Sequence, residues 1–167
     1  MTKNTNQTKA EQIRSLDKID LSILDCLQKN SRITNVALAK QVNLSASPCL
    51  DRVRRLEAEG YIERYGAILN ASKLKFGLTA YVEVTLNKST SDVFETFAEK
   101  VQTIRQIAEC DMVAGGFDYL LKIRISDMAE YRSVLGKVVD IKGVAKNHTY
   151  VVIEKIKIDL GLPVLDV

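Results

Sequence analysis

The sequence predicts an α+β fold in two parts, three short helices followed by a β-α-β-β-α-β run, and three observations carry that expectation. Up to Gly60 apolar residues recur at helical spacing. From Leu78 onward, alternating apolar and polar stretches take turns with helical ones. The charge is also divided unevenly: residues 1–64 hold 11 Lys or Arg against 8 Asp or Glu, whereas residues 65–167 hold 13 of each. The net charge of +3 therefore lies wholly in the first part, which is the part to expect against phosphates.

The chain of 167 residues is 46% hydrophobic and 27% charged, a composition that folds rather than stays disordered. Met1 to Gln12 are the exception, being rich in Thr, Asn, Gln and Lys without apolar periodicity, and residues 1–14 read as a flexible arm. Nothing there resembles the apolar core of a signal peptide, and no stretch approaches about 18 consecutive apolar residues, so a cytoplasmic location is expected. Cys26, Cys49 and Cys110 are widely spaced, odd in number and set in apolar segments. They read as small buried hydrophobes, with no metal-binding spacing among them.

Asp17 and Asp20 can cap a first helix to Lys29, with Leu16, Ile19, Ile23, Leu24 and Leu27 inward. Thr34 starts a second, with Val36, Ala39 and Val42 along one face, and Asn43 suits a left-handed turn. The third begins near Ser45: the hydroxyls of Ser45 and Ser47 can accept orphan backbone N–H groups, and Pro48 is tolerated in a first turn. Cys49, Leu50, Val53 and Leu56 form its inward face and Gly60 ends it. Ser47, Pro48, Asp51 and Arg55 lie opposite, with Arg52 and Arg54 on the flanks. This is a helix-turn-helix of winged-helix-like kind over residues 15–64. A B-DNA major groove admits one such helix, and Arg side chains fork onto guanine or pair with phosphates. Ser45, Ser47, Pro48, Asp51, Arg52, Arg54 and Arg55 are the candidate DNA-binding residues, and double-stranded DNA is the expected partner.

An alternating stretch from Tyr61 to Leu69 links the two parts and lies against the helical unit, with the linker itself assigned to 65–76. Residues 77–157 then read as a ferredoxin-like βαββαβ domain, with 158–167 as a tail. Its elements are a strand over Leu78 to Leu86, a helix carrying Val93, Phe94, Phe97, Ala98 and Val101, and a strand from Ile104 to Val113. After Gly115-Gly116 come a strand over Tyr119 to Ile125, a helix opened by Asp127 and Glu130 as a capping box, and a strand from Val144 to Lys157. Both helices must cover one sheet face. The other carries Tyr81, Leu120, Tyr150 and Val152, which implies association between copies. His148, the single histidine, has no nucleophile at a recognisable spacing, and no catalytic or cofactor motif is present, so neither an enzyme nor a cofactor is expected.

From Leu16 on, the chain resembles the Lrp/AsnC family. The resemblance rests on Leu16-Asp17 to Asp25, on Asn35 to Glu57, and on Gly60-Tyr61-Ile62. In the second domain it rests on Asp92-Val93-Phe94, Glu109-Cys110, Gly115 with Phe117 to Leu121, and Thr149 to Val152. The similarity is greatest to the leucine-responsive branch. It implies an activator or repressor of amino-acid metabolism and transport genes, associated with the nucleoid and built from dimers that assemble into octamers. It also implies an amino-acid effector, leucine first and methionine second, held near Met112, Gly115, Gly116, Asp118, Thr149, Val151 and Val152. Many relatives carry an acidic residue where this chain has Gly116. The alternative is a ligand-independent, nucleoid-like architectural DNA-binding protein.

Overall fold

The structure, a computed structural model, describes residues 15–88, 90–157 and 161–166; the arm expected over residues 1–14 lies outside the described residues. The chain divides into two compact units between Ala67 and Ile68, and residues 161–166 belong to the first.

In the first unit, α1 (Lys18–Lys29) begins at a complete capping box. Asp17 Oδ1 accepts from the N–H groups of Ile19 and Asp20 at 2.9 and 2.8 Å, while Asp20 Oδ2 accepts from Asp17 N at 3.1 Å. Thr34 caps α2 (Asn35–Gln41) through Ala37 N at 3.2 Å. The turn after α2 places Asn43 at φ +56°, the left-handed conformation that its short polar side chain tolerates. Ser45 is the N-cap of α3 (Ala46–Ala58), but its hydroxyl makes no capping hydrogen bond, contrary to the sequence reading. Ile23, Leu38, Ala39, Val42, Cys49 and Leu56 form the core. Val36, expected inward, is 72% exposed. It sits about 200° around the helix from Leu38, at about 100° per residue, so the face that buries Leu38, Ala39 and Val42 turns Val36 outward. Beyond Gly60 the backbone follows the helical unit without forming a strand: the N–H groups of Tyr61 and Ile62 donate to Leu56 O, and Tyr65 Oη donates to Glu57 at 2.8 Å.

The second unit comprises β1 (Leu78–Leu86), α4 (Ser91–Gln102), β2 (Ile107–Met112), β3 (Tyr119–Ile125), α5 (Met128–Val139) and β4 (Val144–Val151). The strands form one antiparallel sheet in the order β2-β3-β1-β4. Val82, Val84, Leu121 and Ile123 bury one sheet face against Phe97, Val101, Val134 and Val138 of the two helices. The strand expected from Ile104 starts only at Ile107, because Ile104 closes the turn after α4 by donating its N–H to Val101 O. The last strand ends at Val151 and not at Lys157. Its neighbour β1 has only two residues left there: Val151 pairs with Ala80, and Val152 N still donates to Thr79 O. Asp127 caps α5 as expected, but Glu130 reaches back to Ser126 N, one residue beyond the capping-box partner. On the other sheet face Tyr81, Leu120 and Val152 are half-buried and Tyr150 is 51% exposed. Cys49 is buried and Cys26 half-buried, while Cys110 departs from expectation and lies exposed on edge strand β2.

Candidate nucleic-acid interface and effector positions

The three arginines of α3 divide into two kinds. Arg52 Nη1 lies 2.7 Å from Asp17 Oδ2 and 2.8 Å from Asp20 Oδ1, and Arg55 Nη2 lies 2.6 Å from Asp20 Oδ2. Both guanidinium groups thus face α1, and Arg55, read from the sequence as outward, turns inward to a carboxylate that is 1% exposed. The Arg52 guanidinium, with the Asp20 and Ile19 N–H groups behind it, lowers the Asp17 pKa to about 2. For Asp20, burial pushes the pKa up, but the Asp17 N–H and the two guanidiniums outweigh it and the net shift is downward. Two acids three residues apart, at the N-cap and in the first turn of α1, match two arginines three residues apart on α3. That matching spacing is the signal the sequence held, but helix pairing across the fold was needed to read it. Arg54, by contrast, is exposed, as are Ser45 at the N-cap and Ser47, Pro48 and Asp51 in the first turns of α3. Asn35, not singled out by sequence, donates from Nδ2 to Ala46 O at 2.7 Å and ties the start of α2 to the first turn of α3.

In the second unit the effector positions do not converge within one chain. Met112 stands on β2 and Thr149 and Val151 on β4, the opposite edges of the sheet. Three interstrand spacings of about 4.8 Å separate those edges by roughly 14 Å. The turn after β2 brings Asp118 to the end of β1, where its Oδ2 accepts from Leu86 N at 2.7 Å. Tyr131 of α5 donates its hydroxyl to Thr149 Oγ1 at 2.8 Å. Gly115 and Gly116 have open space where a Cβ would stand, and neither adopts a positive φ, so nothing within the chain requires glycine there. Val152 lies one residue past the end of β4, its N–H still donating to Thr79 O of β1. The His148 ring meets that of Tyr150 at a tilt of 59°, with ring centroids 4.7 Å apart. Among the described residues no group of His, Cys, Asp and Glu could hold a metal, and no helix is long and apolar enough to cross a membrane.

Comparison with known proteins bears on both units. Residues 16–63 match the winged helix-turn-helix DNA-binding family, and residues 79–162 match the Lrp/AsnC ligand binding domain. The leucine-responsive regulatory proteins of Klebsiella pneumoniae and Escherichia coli (strain K12) are each 50% identical to this chain over 145 residues, covering 86% of it and 88% of the relative. A transcriptional regulator from Neisseria meningitidis, solved as an L-Met complex, superposes with a TM-score of 0.85 at 36% identity, over 89% of this chain and 97% of that one. With both parts of the chain accounted for, it belongs to the Lrp/AsnC family of DNA-binding, non-catalytic transcription regulators.

Proposed function

We propose that the chain is an amino-acid-responsive regulator whose α3 enters the major groove with Arg54 as its reading cation. Ser45, Ser47, Pro48 and Asp51 line the same approach, and Arg52 and Arg55 hold the helix in place. The observation that carries this reading is the division of the arginines: Arg54 is exposed, whereas Arg52 and Arg55 are paired with Asp17 and Asp20. A good base contact from Arg contributes about 1–3 kcal/mol of discrimination. Arg54→Ala is therefore expected to weaken operator binding about tenfold or more at fixed salt while the melting temperature holds. An unchanged operator isotherm would take Arg54 out of the interface.

The effector is an amino acid, leucine first and methionine second, in keeping with the names of the relatives and the L-Met complex of the Neisseria protein. Met112, Gly115, Gly116, Asp118, Thr149, Val151 and Val152 hold it where copies of the chain meet, since one chain leaves these residues on opposite edges. Dimers form over the half-apolar sheet face, assemble to octamers and act on the nucleoid, in the cytoplasm, at genes of amino-acid metabolism and transport. Calorimetry against leucine, methionine, alanine, lysine and asparagine tests this: saturable heat for one of them supports the sensor. No heat across the panel from folded, DNA-binding protein supports the architectural alternative. That alternative draws on one observation, the engagement of Asp118 and Thr149 with groups of their own chain.

A further inference from the structure

Residues 161–166 belong to the DNA-binding unit and meet the Gln28 side chain there. Gln28, in the last turn of α1, donates from Nε2 to Leu162 O at 3.0 Å and accepts at Oε1 from Leu162 N at 2.6 Å. A side-chain amide paired with both main-chain groups of one residue reproduces a rung of a β-ladder, across 134 residues of sequence. The neighbouring positions suit that seat. Gly161 has φ +103°, and a Cβ there would collide with the Gln28 amide, so both backbone and space call for glycine. Pro163 holds the preceding Leu162 extended and so lowers the entropy lost on docking. Leu162 and Val164, once seated, form one wall of a cavity of about 540 Å³ whose other walls include Leu24, Leu27, Tyr61 and Tyr65.

We infer that the Gln28 end of α1 is a peptide-reading seat whose occupant is the chain's own Gly161–Val164 segment, and that the seated segment supports the DNA-binding unit. Asp17 and Asp20 tie the first turn of α1 to α3, while Gln28 ties its last turn to the C-terminal segment. The helix α1, to which α3 is ion-paired, is thereby held at both ends. A segment that binds only the folded unit stabilises it by mass action, and a covalently attached one acts at a high effective concentration.

Hydrogen–deuterium exchange of residues 161–166 in the intact protein tests the seat, with Gln28→Ala as the variant. Gln28 is exposed, so its truncation leaves the core intact. Exchange in this segment is expected to speed up at least tenfold in Gln28→Ala and in Gly161→Ala, and operator affinity to fall about threefold or more in both. In a chain ended after residue 160, a labelled peptide of residues 161–167 is expected to bind saturably, and at least tenfold more weakly once Gln28 is Ala. Equal exchange in wild type and Gln28→Ala would overturn the site. Faster exchange with an unchanged operator affinity would overturn the supporting role.

Discussion

A carboxylate that is 1% exposed survives at position 20 because Arg52, Arg55 and the Asp17 N–H surround it. Removing it leaves Arg52 with Asp17 alone and takes from Arg55 its 2.6 Å partner, on guanidinium groups that retain only 27% and 22% exposure. Breaking a buried pair costs about 3–5 kcal/mol, and the partial exposure of the arginines moderates that. Asp20→Ala is accordingly expected to cost about 2–3 kcal/mol in urea denaturation followed by circular dichroism, whereas Arg54→Ala stays within about 0.5 kcal/mol of wild type. Asp17 adds a pH signature. Its folded pKa, about 2, lies below the ordinary carboxylate value of 3.8, so its contribution is present above 3.8 and is lost as pH falls through about 2. Melts between pH 5 and 2 should therefore show wild type losing stability more steeply than Asp17→Asn; parallel curves would remove the ion pair from the account. The residue types of this interface were legible in the sequence, but the inward turn of Arg55 was not. Helical periodicity places a side chain on a face, and only packing decides which partner a flanking long side chain reaches.

Turns and caps decide where the elements stop. Gly143, between α5 and β4, has φ +104°, and a Cβ there would stand 2.6 Å from Val93 Cγ1. Overpacking of this kind costs about 1–3 kcal/mol, and Ala adds backbone strain. Gly143→Ala is expected to destabilise the second unit by about 2 kcal/mol, with Gly136→Ala, in open space on α5, as a tolerated control in the same thermal melt. The order of elements, the turns at Asn43 and Gly60, and the cap at Asp127 were all readable, because each depends on local chemistry. The end of β4 was not. The residues from Val152 to Lys157 retain strand-like composition, but a strand lasts only as long as its neighbour, and β1 begins at Leu78. For the same reason the docking of Leu162 on Gln28 left no periodic trace.

At the scale of the whole molecule, each unit buries its own core. What the second unit leaves uncovered is the sheet face bearing Tyr81, Leu120 and Tyr150. A charge at its centre should oppose assembly. Leu120→Glu is expected to reduce the mass seen by light scattering toward that of a single chain without loss of secondary structure, and an unchanged mass would place the contact elsewhere. The placement of Met112 and Thr149 on opposite edges of one sheet carries a further consequence. If a small molecule must touch both, half of its binding surface belongs to a neighbour, and its apparent affinity will weaken as the protein is diluted. Such a regulator registers its own abundance together with that of the nutrient, and a titration at one protein concentration describes only one point on that joint response.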